Sequence, residues 1–300
     1  MADDLLADFV RADQEQGLGS YGIHVYRADA DPLTHRFRSD DRVNLYSVSK
    51  TFTAVAAGLA VAEGRFDLDA PFLDHFPELR GIAADGFERV TPRHLITMTS
   101  GSTHKWFADE RIDAADLLHE FVATPLDAEP GTRFAYTGSG PYAIGRLLAR
   151  TTGADVRAYL EPRLFRPLDL HNPAWHTCPL GFPFAESDLF LRTEELSRFA
   201  QLLLREGEWQ GRQLVPAEFV RRMPAESVDT ATAAGHGSAF GHGYGLGVWL
   251  GGDGTFRMDG RYGQYSIVDP RRRVTVTVTA HSPDDTALLK AIDELILQRL

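Results

Sequence analysis

Ser47 and Lys50 stand three residues apart at the head of an apolar run, a spacing that puts a hydroxyl and an amine on one helix face. A serine hydroxyl becomes a useful nucleophile only when a neighbour takes its proton, and a lysine whose pKa has been lowered by burial can be that base. The chain has only three lysines, Lys50, Lys105 and Lys290, and arginine supplies the remaining fixed positive charge. Arginine does not release its proton in a protein, so lysine at this position offers chemistry that its usual substitute lacks. With so few lysines, a Ser-x-x-Lys match is expected by chance about 0.1 times. Ser102-Thr103-His104-Lys105 repeats the pattern, but its glycine and polar neighbours place it in a loop. The four residues alone leave a plain alternative open, an N-cap serine followed by a solvated first-turn lysine.

The elements that would position the pair follow from periodicity. Thr51 to Glu63 reads as a helix ended by Gly64, and residues 3–16 read as an amphipathic helix ended by Gly17 and Gly19. Tyr21 to Tyr26 alternates as a strand and Thr34 to Phe37 pairs back on it. Near the other end, Tyr244 to Leu250, Tyr262 to Val268 and Val274 to Thr279 read as three strands, and Ser282-Pro283-Asp284-Asp285 caps a last helix. Between them the helical segments are Thr91 to Met98, Ala114 to Thr124, Pro141 to Arg150, Val156 to Leu164, Glu194 to Glu206 and Pro216 to Met223. Strands at both ends around a helical middle predict an α+β fold: one antiparallel sheet built from the two termini, and a mostly helical second lobe. The division falls at 1–64 with 225–300 for the sheet lobe and 65–224 for the helical lobe, with the site in the cleft between them. The stretch from Thr230 to Gly237 reads as a mobile connection.

Composition sets the outer bounds. Three hundred residues with 43% hydrophobic content can bury a full core. A net charge of −11 gives no basic surface for phosphate, so no nucleic-acid partner is expected, and Arg271-Arg272-Arg273 reads as a solvated turn. No secretory leader and no membrane-length apolar stretch are visible, which makes a cytoplasmic protein without a membrane partner the expectation. The lone Cys178 fits a reducing compartment, and with His176 it makes a poor metal site. No metal or organic cofactor is implied, since no His-Glu-x-x-His, phosphate loop or dinucleotide fingerprint occurs.

Several motifs in order resemble the serine hydrolases of the penicillin-binding protein and class C β-lactamase fold, including family VIII esterases. Ser47-Val48-Ser49-Lys50 looks like the family's nucleophile motif. Leu95 to Gly101 looks like its cleft-side segment, Glu129 to Tyr136 is similar to the approach to its second motif, and the stretch around Gly263-Gln264 adds a fourth match. The resemblance implies catalytic roles for Ser47, Lys50 and Tyr136, the last as a proton shuttle, with either Lys50 or Tyr136 as resting base. Tyr136-Thr137-Gly138 keeps the tyrosine of the usual Tyr-x-Asn and has glycine in the asparagine position, so Gly138 and Ser139 become candidate substrate contacts. The third motif, Lys-Thr-Gly in class C enzymes, corresponds here to Met258-Asp259-Gly260-Arg261. That strand implies backbone oxyanion donors at Ser47 and Arg261, with Met258, Asp259 and Gly260 beside the substrate. Met258 carries no charge to hold a carboxylate, which argues against efficient β-lactam turnover.

The expected activity is hydrolysis of an ester, amide or peptide of small size through an acyl-enzyme, with Lys50 as general base. Transfer of the acyl group to an amine or alcohol, and non-catalytic ligand binding, remain the alternatives. Oligomeric state is open. Trp106, Phe107 and Trp249 are candidates for an apolar acyl pocket, with core packing as the other reading, and His281 follows the last strand at a place the sequence leaves open.

Overall fold

The computed structural model describes residues 2–105, 115–231 and 238–300. In chain order it runs α1 (Ala2–Gln16), β1 (Ser20–Arg27), β2 (Ala30–Arg36), β3 (Val43–Asn44), α2 (Ser49–Ala62), α3 (Pro92–Ile96), α4 (Leu117–Ala123), α5 (Ser139–Thr152), α6 (Val156–Leu160), β4 (Phe190–Leu191), α7 (Thr193–Leu204), β5 (Glu208–Trp209), β6 (Arg212–Gln213), α8 (Ala217–Ala225), β7 (Trp249–Leu250), β8 (Phe256–Gly260), β9 (Gln264–Asp269), β10 (Val274–Ala280) and α9 (Asp285–Leu295).

The expected sheet from the two chain ends is present, in the antiparallel order β2-β1-β10-β9-β8-β7. Register explains its two faces. Val25 pairs Val276, which pairs Ile267, so these side chains share one face and pack on Leu5 and Phe9 of α1 and on Leu288 and Ile292 of α9. The other face carries His24, Thr277, Ser266 and Met258 in register, and α7 lies across it. The β10 sequence Val-Thr-Val-Thr-Val-Thr-Ala alternates like a strand with one wet face, yet every residue is buried. Two of its three hydroxyls are matched inside the protein, Thr277 with Ser266 at 2.7 Å and Thr279 with Thr193 at 2.7 Å, while Thr275 Oγ1 is buried without a partner among the described residues. Each matched pair avoids a desolvation cost of about 1–3 kcal/mol.

α2 is the spine of the molecule. Ser49 through Ala60 are all buried, so the helix is covered on every side rather than on one stripe. Phe52 stacks on Phe199 of α7 at 3.8 Å, and Gly58 lets the Phe219 ring of α8 come where a Cβ would stand 2.3 Å away. Among the described residues no helix is long and apolar enough to cross a membrane.

Several boundaries differ from the sequence reading. Only Trp249–Leu250 of the expected Tyr244 to Leu250 strand joins the sheet, because Gly247 turns the chain at φ 78° and Tyr244 makes isolated bridges. β8 was unmarked by periodicity, and β9 begins at Gln264 because Tyr262 is left-handed at φ 63°. α4 begins at Leu117 behind its Asp116 cap, and Val156 to Leu164 passes from α6 into a π turn. Trp106, Phe107, and the stretch from Thr232 to Gly237 lie outside the described residues.

Candidate active site

Ser47 sits in a single 3-10 turn, Tyr46–Val48, that runs directly into α2. Several bonds fix that turn. Asn44 Oδ1 accepts from the Tyr46 amide at 2.7 Å while its Nδ2 donates to Asp188 at 2.6 Å, and the Leu45 amide donates to the Leu189 carbonyl at 2.9 Å. Tyr46 is held at φ 47°, a left-handed conformation costly for a residue with a side chain and tolerated where the surroundings dictate it. Ser47 caps nothing, since Val48 precedes α2 without a side-chain cap bond. Lys50 is 4% exposed. The N-cap and solvated-lysine alternative therefore fails on both residues.

The Lys50 ammonium donates to Ser47 Oγ at 2.8 Å. It also donates to the Glu186 carbonyl and to Glu186 Oε2, each at 2.9 Å. Tyr136 completes the cluster, hydrogen-bonded to Lys50 and to Ser47, with Lys50 Nζ 5.0 Å from the centre of its ring. α2 grips the Glu186 segment along its whole first turn: Thr53 donates to the Ala185 carbonyl at 2.6 Å, and Ser49 Oγ accepts from the Leu189 amide at 3.2 Å.

Charge in this cluster differs from the sequence expectation of a lysine depressed by burial. Burial does pull the Lys50 ammonium down, but the Tyr136 oxygen and the Glu186 carboxylate outweigh it and leave Lys50 above its ordinary value. A neutral amine here would leave a buried carboxylate uncompensated. Burial also holds the Tyr136 phenol above its ordinary value, against the pull of Lys50 and of the Ser47 hydroxyl. Tyr136 is backed by an aromatic cluster: its ring lies 5.2 Å from Trp249 and 5.7 Å from Tyr244. Trp249 is buried there, so it supports Tyr136 and does not wall an open pocket.

The remaining expected residues divide. Gly138 faces the cluster, and a Cβ on it would stand 2.4 Å from the Glu186 carboxyl carbon. Ser139 is wholly buried, its hydroxyl donating toward the His104 carbonyl and Thr137 Oγ1, which removes it as a substrate contact. Met258 is also excluded, because it packs in the main core with Leu45 and Val48. Asp259 shares its sheet face with Tyr265, away from Met258, and pairs with Arg257 at 3.0 Å; burial pushes its carboxyl up to about 6, partly opposed by Arg257. Gly260 abuts the Ser47 turn so closely that a Cβ would lie 2.3 Å from the Leu45 carbonyl. This brings the backbone at Gly260-Arg261 beside Ser47. Tyr262 then meets Tyr46 edge to face at 5.3 Å, and His281 stacks on Tyr262 at 4.4 Å.

Sequence reasoning missed Glu186. It lies 136 positions from Lys50 in a segment without a motif, and the one trace of it is the glycine at 138.

The Beta-lactamase family model matches residues 10–300 of the chain. The chain belongs to the beta-lactamase family. The motifs around Ser47 and Tyr136 resembled this family, and the match extends over nearly all of the chain. Among curated relatives of this family member, the 6-aminohexanoate-dimer hydrolase of Paenarthrobacter ureafaciens is 28% identical over 270 residues, 83% of this chain and 68% of that protein. Esterase EstB of Burkholderia gladioli is 30% identical over 171 residues, 51% of this chain and 41% of that protein. The matched part makes up between 34% and 68% of the length of such relatives. A solved structure, the putative 6-aminohexanoate-dimer hydrolase from Bacillus anthracis, superposes with a TM-score of 0.80 at 17% identity, covering 96% of this chain and 80% of that one. That likeness bears on the fold, and it agrees with the α+β architecture of this beta-lactamase family member.

Proposed function

We propose that the protein is a serine-dependent hydrolase of small esters or amides that works through an acyl-enzyme on Ser47. The observation that carries this reading is the 2.8 Å contact between Lys50 Nζ and Ser47 Oγ, with Tyr136 bonded to the same hydroxyl. Ser47 is partly exposed while Lys50 is sealed behind it, so the nucleophile is accessible and its partner is dry. The cleft would lie between the sheet part, 1–64 with 225–300, and the helical part, 65–224. The names of the two relatives, a dimer hydrolase and an esterase, support the choice of acyl substrates.

Counting protons assigns the steps. The carbonyl and carboxylate oxygens of Glu186 can only accept, so two of the three ammonium protons are committed and the third is shared between Ser47 and Tyr136. The Ser47 proton then leaves through Tyr136: as Oγ attacks the carbonyl carbon, its proton moves to Tyr136 Oη while the phenol's own proton moves to the leaving oxygen or nitrogen. The phenol stays neutral overall, which suits a group held above its ordinary pKa. Lys50 contributes a fixed positive charge, and this replaces the base role first read for it. The backbone amides of Ser47 and Arg261 are proposed as donors to the developing oxyanion. Water reverses the relay to release the acid. The lone buried Cys178 supports a reducing, cytoplasmic setting.

The test is intact-mass analysis after exposure to p-nitrophenyl esters, D-amino-acid peptides and nitrocefin. A stable or transient adduct on Ser47, absent from Ser47→Ala, is expected with at least one ester or peptide. Ester hydrolysis or fluorophosphonate labelling that survives in Ser47→Ala would overturn the assignment.

A further inference from the structure

Glu186 is 5% exposed, and three observations converge on its carboxylate. Oε2 binds the Lys50 ammonium at 2.9 Å, closing a pair in which the two side chains are 3% and 7% exposed. Oε1 is buried and has no hydrogen-bond partner among the described residues. Both oxygens lie over Gly138, where a Cβ would stand 2.5 Å and 2.6 Å from them. Any side chain at position 138 would evict this carboxylate. The glycine in the second motif is thus a slot, and Glu186 fills it.

Apart from the Tyr136 oxygen, Lys50 has little else to balance its charge. Beside it lies a void of about 10 Å³, at the lower limit of the space one water needs and walled mostly by the apolar side chains of Ala54, Ile96, Pro141 and Ile144. The ionisable groups facing it are Tyr136 from the segment before α5, Tyr244 on the far side of the void, and Glu186; Asp259 acts on Tyr136 from the neighbouring strand. Glu186 is the carboxylate in contact.

We propose that Glu186 is a positioning residue: seated in the slot left by Gly138, it locks Lys50 as an ammonium at a fixed distance from Ser47 and Tyr136. The proposal rests on the Ser47 hydrolase reading for its catalytic meaning. Its two oxygen contacts, carbonyl and carboxylate, hold the lysine head by the same residue. The raised Lys50 ammonium agrees with this arrangement. Glu186 transfers no proton in this scheme, and its removal frees Lys50 to lose its charge and to move.

The experiment uses the intact protein with lysine labelled at the ε carbon. Three lysines give three resonances, assigned with Lys105→Arg and Lys290→Arg. In the native protein the Lys50 signal should titrate above the ordinary lysine value. In Glu186→Gln it should titrate lower than in the native protein, because burial and Tyr136 remain and the carboxylate is gone, whereas Glu186→Asp should retain part of the native behaviour. In parallel, Glu186→Gln should lower kcat by roughly 10- to 100-fold with KM little changed, as expected for a misplaced charge. The same Lys50 titration in native and Glu186→Gln protein would overturn the proposal. Should Glu186→Gln fail to fold, the native spectrum alone decides: a Lys50 signal that titrates at or below the ordinary value refutes it. Absence of Ser47-dependent hydrolysis would refute the hydrolase reading separately, since the Lys50 titration is read without substrate.

Discussion

Tyr46 and Tyr262, both in left-handed backbone, meet edge to face at 5.3 Å and flank the two amides proposed for the oxyanion, those of Ser47 and Arg261. Two strained residues in direct contact indicate that the turn and the strand end are set against each other. Gly260 makes that approach possible, because its neighbour across the gap is the Leu45 carbonyl.

Gly260→Ala should therefore push β8 away from the Ser47 turn. A displacement near 1 Å at such a site costs on the order of 10²-fold in rate. We expect kcat/KM for an ester to fall by about that factor while circular dichroism stays native. Unchanged kinetics would separate the strand end from the oxyanion.

Tyr136→Phe keeps the ring among Phe134, Tyr244 and Trp249 and removes the oxygen alone. The melting temperature should shift little. kcat should fall by roughly 10² to 10⁴, the usual worth of a positioned proton carrier. Steady-state kinetics with a p-nitrophenyl ester and with an amide distinguish the two bonds, and the amide, with the poorer leaving group, should suffer more.

Gly138→Ala places a methyl group into the Glu186 carboxylate. We expect lower stability and lower activity than in the native protein, with much of the stability loss relieved in Gly138→Ala/Glu186→Ala relative to the sum of the single changes. A coupling of about 0.5–3 kcal/mol from the four denaturation curves would be in the range for residues in contact. Additive effects would mean the two positions do not share space.

Asp259 gives a pH dependence with a definite sign. Its carboxyl is raised to about 6 from 3.8 by burial against the pull of Arg257, so the folded protein favours the neutral acid. The associated stability is complete below about pH 4 and lost as pH rises through 6. One pKa unit corresponds to about 1.4 kcal/mol, so the difference in stability between native protein and Asp259→Asn should change by roughly 2–3 kcal/mol between pH 4 and pH 7, to the disadvantage of the native protein. Denaturant melts of both proteins at the two values measure it.

What was readable in advance follows physical range. The Ser47–Lys50 pair was legible because three residues on a helix fix a distance, and the two-ended sheet because Val274 to Thr279 and Tyr21 to Tyr26 carry local alternation. β8 was hidden because Arg257 and Asp259 put charges on its buried face and neutralise each other there. The Tyr244 to Leu250 stretch reads as one strand, but Gly247 turns where that strand would continue. Ser139 and Met258 were assigned by position in a motif, and burial, which a motif does not encode, removed them. Glu186 depends on a contact across 136 positions, and the charged role proposed for Lys50 depends on Glu186.

β1 finds its inner neighbour only in β10, and the Ser47 turn leans on the end of β8. A growing polypeptide therefore makes Ser47 early but cannot brace it until β8 and the strands that pair with it have been made. Until then the first hairpin keeps an open hydrogen-bonding edge, a hazard for self-association. Synthesis and competence are thereby separated: Ser47 emerges among the first fifty residues, and the surroundings proposed to make it reactive are complete only when the last strand closes.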